Sequence, residues 1–98
     1  MKKMTQEEFD NLPIIDDYRQ CPGNTDYSAI NEFGSWCRFG KQSIFGSESI
    51  FDEHCLFFEQ SSFGKKCVFG KWSMFNEECS FGRACIFDAQ CCFYEACC

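Results

Sequence analysis

Ten cysteines and one histidine are the most reactive side chains of this 98-residue chain. Thiolates and imidazoles serve as nucleophiles, bases and metal ligands, so their spacing decides what chemistry is open to them. The vicinal pairs Cys91-Cys92 and Cys97-Cys98 lie six residues apart. A structural zinc site needs Cys-x2–4-Cys pairs that converge on a tetrahedron. Adjacent residues of a strand point to opposite faces, so each vicinal pair is split and no metal site is expected. His54 is the only imidazole, and neither a Ser/His/Asp set nor a phosphate-cradling glycine loop accompanies it. The residues therefore predict no catalytic centre and no cofactor.

Most of the cysteines obey a rule of architecture instead. Phenylalanine occupies positions 33, 39, 45, 51, 57, 63, 69, 75, 81, 87 and 93, and the residue four places after each is always Cys or Ser. Eleven hexads thus run from Phe33 to Cys98 in the pattern Phe–Gly/Asp/Asn–x–x–Cys/Ser–x. A fixed short period means that each unit stacks on its neighbours rather than folding alone. Side chains alternate along a strand, so Phe at position 1 and the preceding Cys or Ser at position 5 face the same way, inward. Positions 2 and 6 face outward, and positions 3 and 4 turn the corner. Glycine fills position 2 in six of the eleven hexads, which suggests that these corners need unusual backbone angles. Seven cysteines at position 5 read as small buried hydrophobes. Disulfides between coils, as in Cys37–Cys55, Cys67–Cys85 or Cys79–Cys97, have an allowed separation, but in-register parallel strands give them poor torsion angles.

The repeat resembles the hexapeptide-repeat left-handed β-helix, in a Phe-cored variant covering residues 33–98. That resemblance implies an all-β fold in which three hexads make one 18-residue triangular coil, here about 3.7 coils in a single short solenoid. The family's pattern has an aliphatic residue where this chain has Phe, so the prism must be wider. Residues 1–32 are expected to form a capping segment. Within it Thr5-Gln6-Glu7-Glu8 fits a capping box before a short helix over 6–12, stopped by Pro13. The stretch 14–32 reads as loop, with Ile14, Ile15, Tyr18, Tyr27 and Ile30 laid over the first coil. The repeat continues to Cys97-Cys98, so its open end predicts a homodimer joined through Phe87, Phe93, Tyr94 and Cys98.

Every third hexad shares a face, which groups the candidate interaction residues. Ile50, Val68 and Ile86 form an outward apolar ladder bounded by Lys65, Lys66 and Arg83. Glu59, Glu77 and Glu95 follow Lys41 along a second line, with Glu78 beside them. Trp36, His54, Trp72 and Gln90 share a third line, and tryptophan is enriched at binding hot spots. The net charge of −6 excludes the basic footprint of a nucleic-acid binder. No apolar run is long enough to span a membrane. Lys2 and Lys3 lead into Thr-Gln-Glu-Glu rather than an apolar stretch, so a cytoplasmic chain with reduced thiols is expected.

These features predict a non-enzymatic protein-binding module. The sharper expectation is an inhibitor of a nucleic-acid-handling protein, such as a phage-type anti-CRISPR antagonist or an acidic DNA mimic. Two alternatives stand beside it. One is a self-assembling structural solenoid. The other, implied by the resemblance alone, is a degenerate hexapeptide acyltransferase with His54 as its catalytic histidine. Against the second, the chain has no insertion between hexads to hold an acyl donor.

Overall fold

Each hexad becomes one short strand and one corner. In the computed structural model, which describes residues 1–95, the chain opens with β1 (Lys2–Lys3), α1 (Gln6–Asp10), β2 (Ile14–Ile15), β3 (Tyr18–Cys21), β4 (Thr25–Asp26) and β5 (Glu32–Phe33). The repeat proper follows with β6 (Cys37–Phe39), β7 (Ile44–Phe45), β8 (Ile50–Phe51), β9 (Leu56–Phe57) and β10 (Ser62–Phe63). It ends with β11 (Val68–Phe69), β12 (Met74–Phe75), β13 (Ser80–Phe81), β14 (Ile86–Phe87) and β15 (Cys92–Phe93). The strands stack into three sheets, β1-β4-β7-β10-β13, β5-β8-β11-β14 and β2-β3-β6-β9-β12-β15. Every pairing is parallel except β2 with β3. Phe45, Phe63 and Phe81 are in register, as are Phe51, Phe69 and Phe87, so one coil takes 18 residues. The fold is an all-β parallel solenoid of about four coils with one short helix.

The Phe columns fill the prism in a herringbone. Rings one coil apart stack, from 4.7 Å for Phe33–Phe51 to 5.1 Å for Phe51–Phe69, with planes within 10°. Rings in adjacent columns meet edge to face, as Phe51–Phe57 do at 4.9 Å and 88°. Both are the geometries that the ring quadrupole favours, each worth about 0.5–1.5 kcal/mol beyond burial. An aliphatic side chain would fill volume here but would lose both geometries.

The inward position 5 holds donors because the corner leaves carbonyls unpaired. Ser49 donates its hydroxyl to the Gly46 carbonyl at 2.8 Å, and Cys67, one coil on, donates its thiol to the same oxygen at 3.4 Å. Among the described residues no buried side-chain nitrogen or oxygen lacks a partner. None of the eight described cysteines is in a disulfide, and Cys97 lies outside the described residues.

Three sequence expectations are corrected. First, the unusual backbone angles fall at position 4, not at the glycines. Trp36, Gln42, Glu48, His54, Gln60, Lys66, Trp72, Glu78, Ala84 and Gln90 all have φ near 60°, whereas no glycine has positive φ. At Gly64 and Gly70 it is close packing that excludes a side chain. A Cβ would sit 2.6 Å from the Ser47 nitrogen and 2.5 Å from the Asp52 carbonyl carbon, respectively.

Second, the stretch 14–32 is not loop. β3 and β4 continue the coil backward, with Arg19 opposite Cys37 and Cys21 opposite Phe39. Cys21 and Tyr27 occupy the inward place of Phe, Thr25 takes the small place, and Asn24 turns the corner at φ 51°. Tyr27 and Ile30 therefore belong inside the first coil rather than over it, while Ile14 and Ile15 are more than half exposed.

Third, the helix ends at Asp10, shorter than 6–12, because Asn11 leaves the helical region at φ −96°, ψ 4°. The capping box at Thr5 and Glu8 forms as expected. It seats Phe9 edge-on against Phe33 at 5.3 Å, closing the core from above. Arg19 pins the helix there, donating to the carbonyls of Phe9 and Asp10 at 2.9 and 3.0 Å.

Candidate functional site

The left-handed residue at position 4 throws its side chain outward at each corner, and the 18-residue register stacks these side chains into edges. One edge is aromatic. Trp36 and His54 stack at 4.2 Å and 12°, and His54 and Trp72 at 6.2 Å and 4°. Tyr18 meets Trp36 edge-on at 5.1 Å and extends the row by one coil. Sequence reasoning laid Tyr18 over the first coil rather than in this row, although it stands 18 residues before Trp36. Trp36 is 38% and Trp72 48% exposed, so the rings stack on one another while keeping their rims in solvent.

The two faces that meet at this edge are the apolar ones. On one, Ile50, Val68 and Ile86 form the exposed ladder expected from sequence, in register with one another. Asp52, Gly70 and Asp88 separate that ladder from the rings. On the other face lie half-buried Leu56 and Met74. Arg38 follows the same ladder, its guanidinium 4.5 Å from the Phe58 ring centroid. The tryptophan and isoleucine ladders, separate surfaces in the sequence reading, thus flank one ridge.

The remaining edges are charged. Lys41, Glu59, Glu77 and Glu95 are exposed along one of them. Behind them Gln42, Gln60 and Glu78 form a hydrogen-bonded ladder, Gln42 donating to Gln60 and Gln60 to Glu78, each at 3.2 Å. The last edge carries Glu48, Lys65, Lys66 and Arg83, also exposed. At the C-terminal end Phe87 is half-buried, Phe93 is 44% exposed and Tyr94 is exposed. Cys98 lies outside the described residues.

His54 is half-buried between two indoles, and its backbone N–H bonds the Lys71 carbonyl. Among the described residues no group of three or more His, Cys, Asp or Glu side chains could hold a metal. No described helix is long and apolar enough to cross a membrane. Burial pushes the thiols of Cys67 and Cys91 up, which keeps them protonated at neutral pH. The chain matches no protein-family model, no curated protein and no solved structure.

Proposed function

We propose that this chain is a non-enzymatic protein-binding module that engages its partner through the aromatic edge. The observation that carries this reading is the ridge itself. Trp36 and Trp72 stand with exposed rims beside the exposed ladder Ile50, Val68 and Ile86. Rigid aromatic and aliphatic anchors lose little conformational freedom on binding, and such residues dominate interface energetics. With Asp52, Glu53 and Asp88 outnumbering Lys71 around the rings, the partner that fits offers an apolar groove flanked by Lys or Arg. We take the coil to be a Phe-cored hexapeptide-repeat β-helix, a reading that its 18-residue register supports. A cytoplasmic setting suits a chain whose described cysteines form no disulfide.

The narrower version makes the partner a nucleic-acid-handling protein, with the row Glu59, Glu77 and Glu95 standing in for phosphates. Lys65, Lys66 and Arg83 on the next edge weaken that version, because the prism is not acidic all round. Affinity capture from bacterial lysate with wild type and two variants separates the readings. W72A/I86D is expected to lose the captured partner while keeping the wild-type circular dichroism. E59Q/E77Q/E95Q is expected to keep it. Capture that survives W72A/I86D overturns the aromatic-edge reading. Capture lost only in the Gln variant, with a nuclease or topoisomerase as the retained protein, installs the narrower one.

A further inference from the structure

The third face, opposite the aromatic edge, carries Lys3 and Asp26 on β1 and β4, in register with Ile44, and mostly small side chains on the strands beyond. Its outward residues are Ile44 and Gly46, then Ser62 and Gly64, then Ser80 and Gly82, on the successive strands β7, β10 and β13. Along its two margins run the two charged edges. In each coil the margins carry opposite signs. Lys41 faces Glu48 across the strand β7, Glu59 faces Lys65 and Lys66 across β10, and Glu77 and Glu78 face Arg83 across β13. The sign of the order even inverts in the first of these coils, and the inversion occurs on both margins together.

Within one molecule these charges do not meet. A strand of about five residues separates the margins, roughly 16 Å at ~3.3 Å per residue. The only ion pair among the described residues is Lys2–Glu8, at the β1 end of this sheet and involving none of these charges. Exposed charges that form no ion pair in their own chain among the described residues, placed on both margins of a sheet with mostly small side chains, are a matching surface.

We propose that this face binds a second copy of the same chain, side by side, with the two solenoid axes parallel. A two-fold axis running along the solenoid through the middle of the face sets each coil against the same coil of the partner. It also sets the left margin of one copy on the right margin of the other. Lys41 then meets Glu48 of the second copy, Glu59 meets Lys65 and Lys66, and Glu77 and Glu78 meet Arg83. As in any two-fold interface, each contact is made twice. A two-fold axis across the solenoid at the middle coil would instead lay Glu59 on Glu59 and Lys65 and Lys66 on their own copies, so only the axis along the solenoid pairs opposite signs in all three coils. Glycine and serine let the sheets approach to the ~10 Å of packed sheets or closer, within reach of Lys and Glu side chains. The face is small beside the ~800 Å² that a standard interface takes from each partner, so the dimer is concentration-dependent and sensitive to salt. It leaves both aromatic edges free at its far sides, and each copy keeps its own protein-binding ridge.

Sedimentation velocity under reducing conditions tests this, with wild type at low and at high salt. Expected is a dimer at 50 mM salt whose dissociation constant rises at least ~10-fold by 500 mM, where the Debye length shrinks toward a few ångströms. K65E/K66E/R83E and E59K/E77K/E78K are each expected to be monomers with wild-type circular dichroism, and an equimolar mixture of the two is expected to dimerise. Zero-length carbodiimide coupling of wild type should join Lys65 or Lys66 to Glu59, and Lys41 to Glu48, between chains. Wild type that stays monomeric at low salt overturns the proposal. So do swap variants that dimerise as well as wild type, or a mixture that remains monomeric. W36A/W72A should leave the dimer intact, which separates failure here from failure of the aromatic-edge reading.

Discussion

At the scale of the residue, the corner chemistry is divided between two positions. The strain sits at position 4, where ten side-chain-bearing residues from Trp36 to Gln90 hold φ near 60°. For an L-residue that conformation costs about 1–2 kcal/mol. From Trp36 to Glu78 it persists because the N–H of each such residue bonds a carbonyl of the next coil, as Gln60 does to Glu77 at 2.9 Å. The glycines at position 2 have ordinary angles and serve close packing instead. Two substitutions separate these roles. Ala84→Gly relieves the strain, less ~0.5–1 kcal/mol of added chain freedom, and should stabilise by about 0.5–1 kcal/mol. Gly70→Ala drives a methyl into the Asp52 backbone and should destabilise by about 1–3 kcal/mol. Thermal melts of the two variants check both signs at once.

At the scale of the element, the N-terminal helix works as a plug held by one carboxylate. Glu8 accepts from the Lys2 ammonium at 2.7 Å and from the Thr5 backbone N–H at 3.0 Å. Those bonds, with the Thr5 hydroxyl, lower its pKa from the ordinary 4.5 to about 2. A carboxyl with a depressed folded pKa adds stability that is complete above its unfolded pKa and disappears as pH falls through the folded one. The melting-temperature advantage of wild type over E8Q should therefore be full above pH 4.5 and shrink toward nothing near pH 2. A difference that persists unchanged to pH 2 would show that the carboxylate does not hold the plug. The helix itself is only five residues long and would not form alone; its stability comes from Phe9 packed on Phe33 and Phe39.

At the scale of the whole molecule, the prism is two-sided. An aromatic ridge between two apolar faces lies opposite a sheet of mostly small side chains with charged margins, and most of the thiols point into the core between them. That arrangement sets which cysteines react. Cys21, Cys37, Cys55, Cys67 and Cys79 are buried, whereas Cys92 is exposed on β15. Among the described cysteines, a thiol reagent should label Cys92 within the dead time and the five buried ones only as the solenoid unfolds. Rapid native labelling of Cys55 or Cys67, followed by mass spectrometry of the peptides, would mean that the core opens coil by coil.

The six-residue period determined the solenoid by itself, because a Phe that returns every hexad and a small residue four places later leave only an inward column and a short strand. The same period assigned Ile50, Val68 and Ile86, Trp36 and Trp72, and Glu59, Glu77 and Glu95 to their three lines. The degenerate first coil escaped it, since Cys21 and Tyr27 keep the frame without keeping the residue type. The true seat of backbone strain escaped it as well, because Trp, Glu, Lys and Ala at position 4 carry no local signature of a left-handed angle. Only the tertiary structure decided which lines are neighbours. Closing 18 residues into a triangle puts the isoleucine ladder beside the tryptophan edge, and sets the acidic and basic edges on either side of one face. Adjacency around a prism depends on where the corners fall and which way each residue leaves them. Those are long-range consequences of stacking coils on a Phe core, and no single hexad contains them.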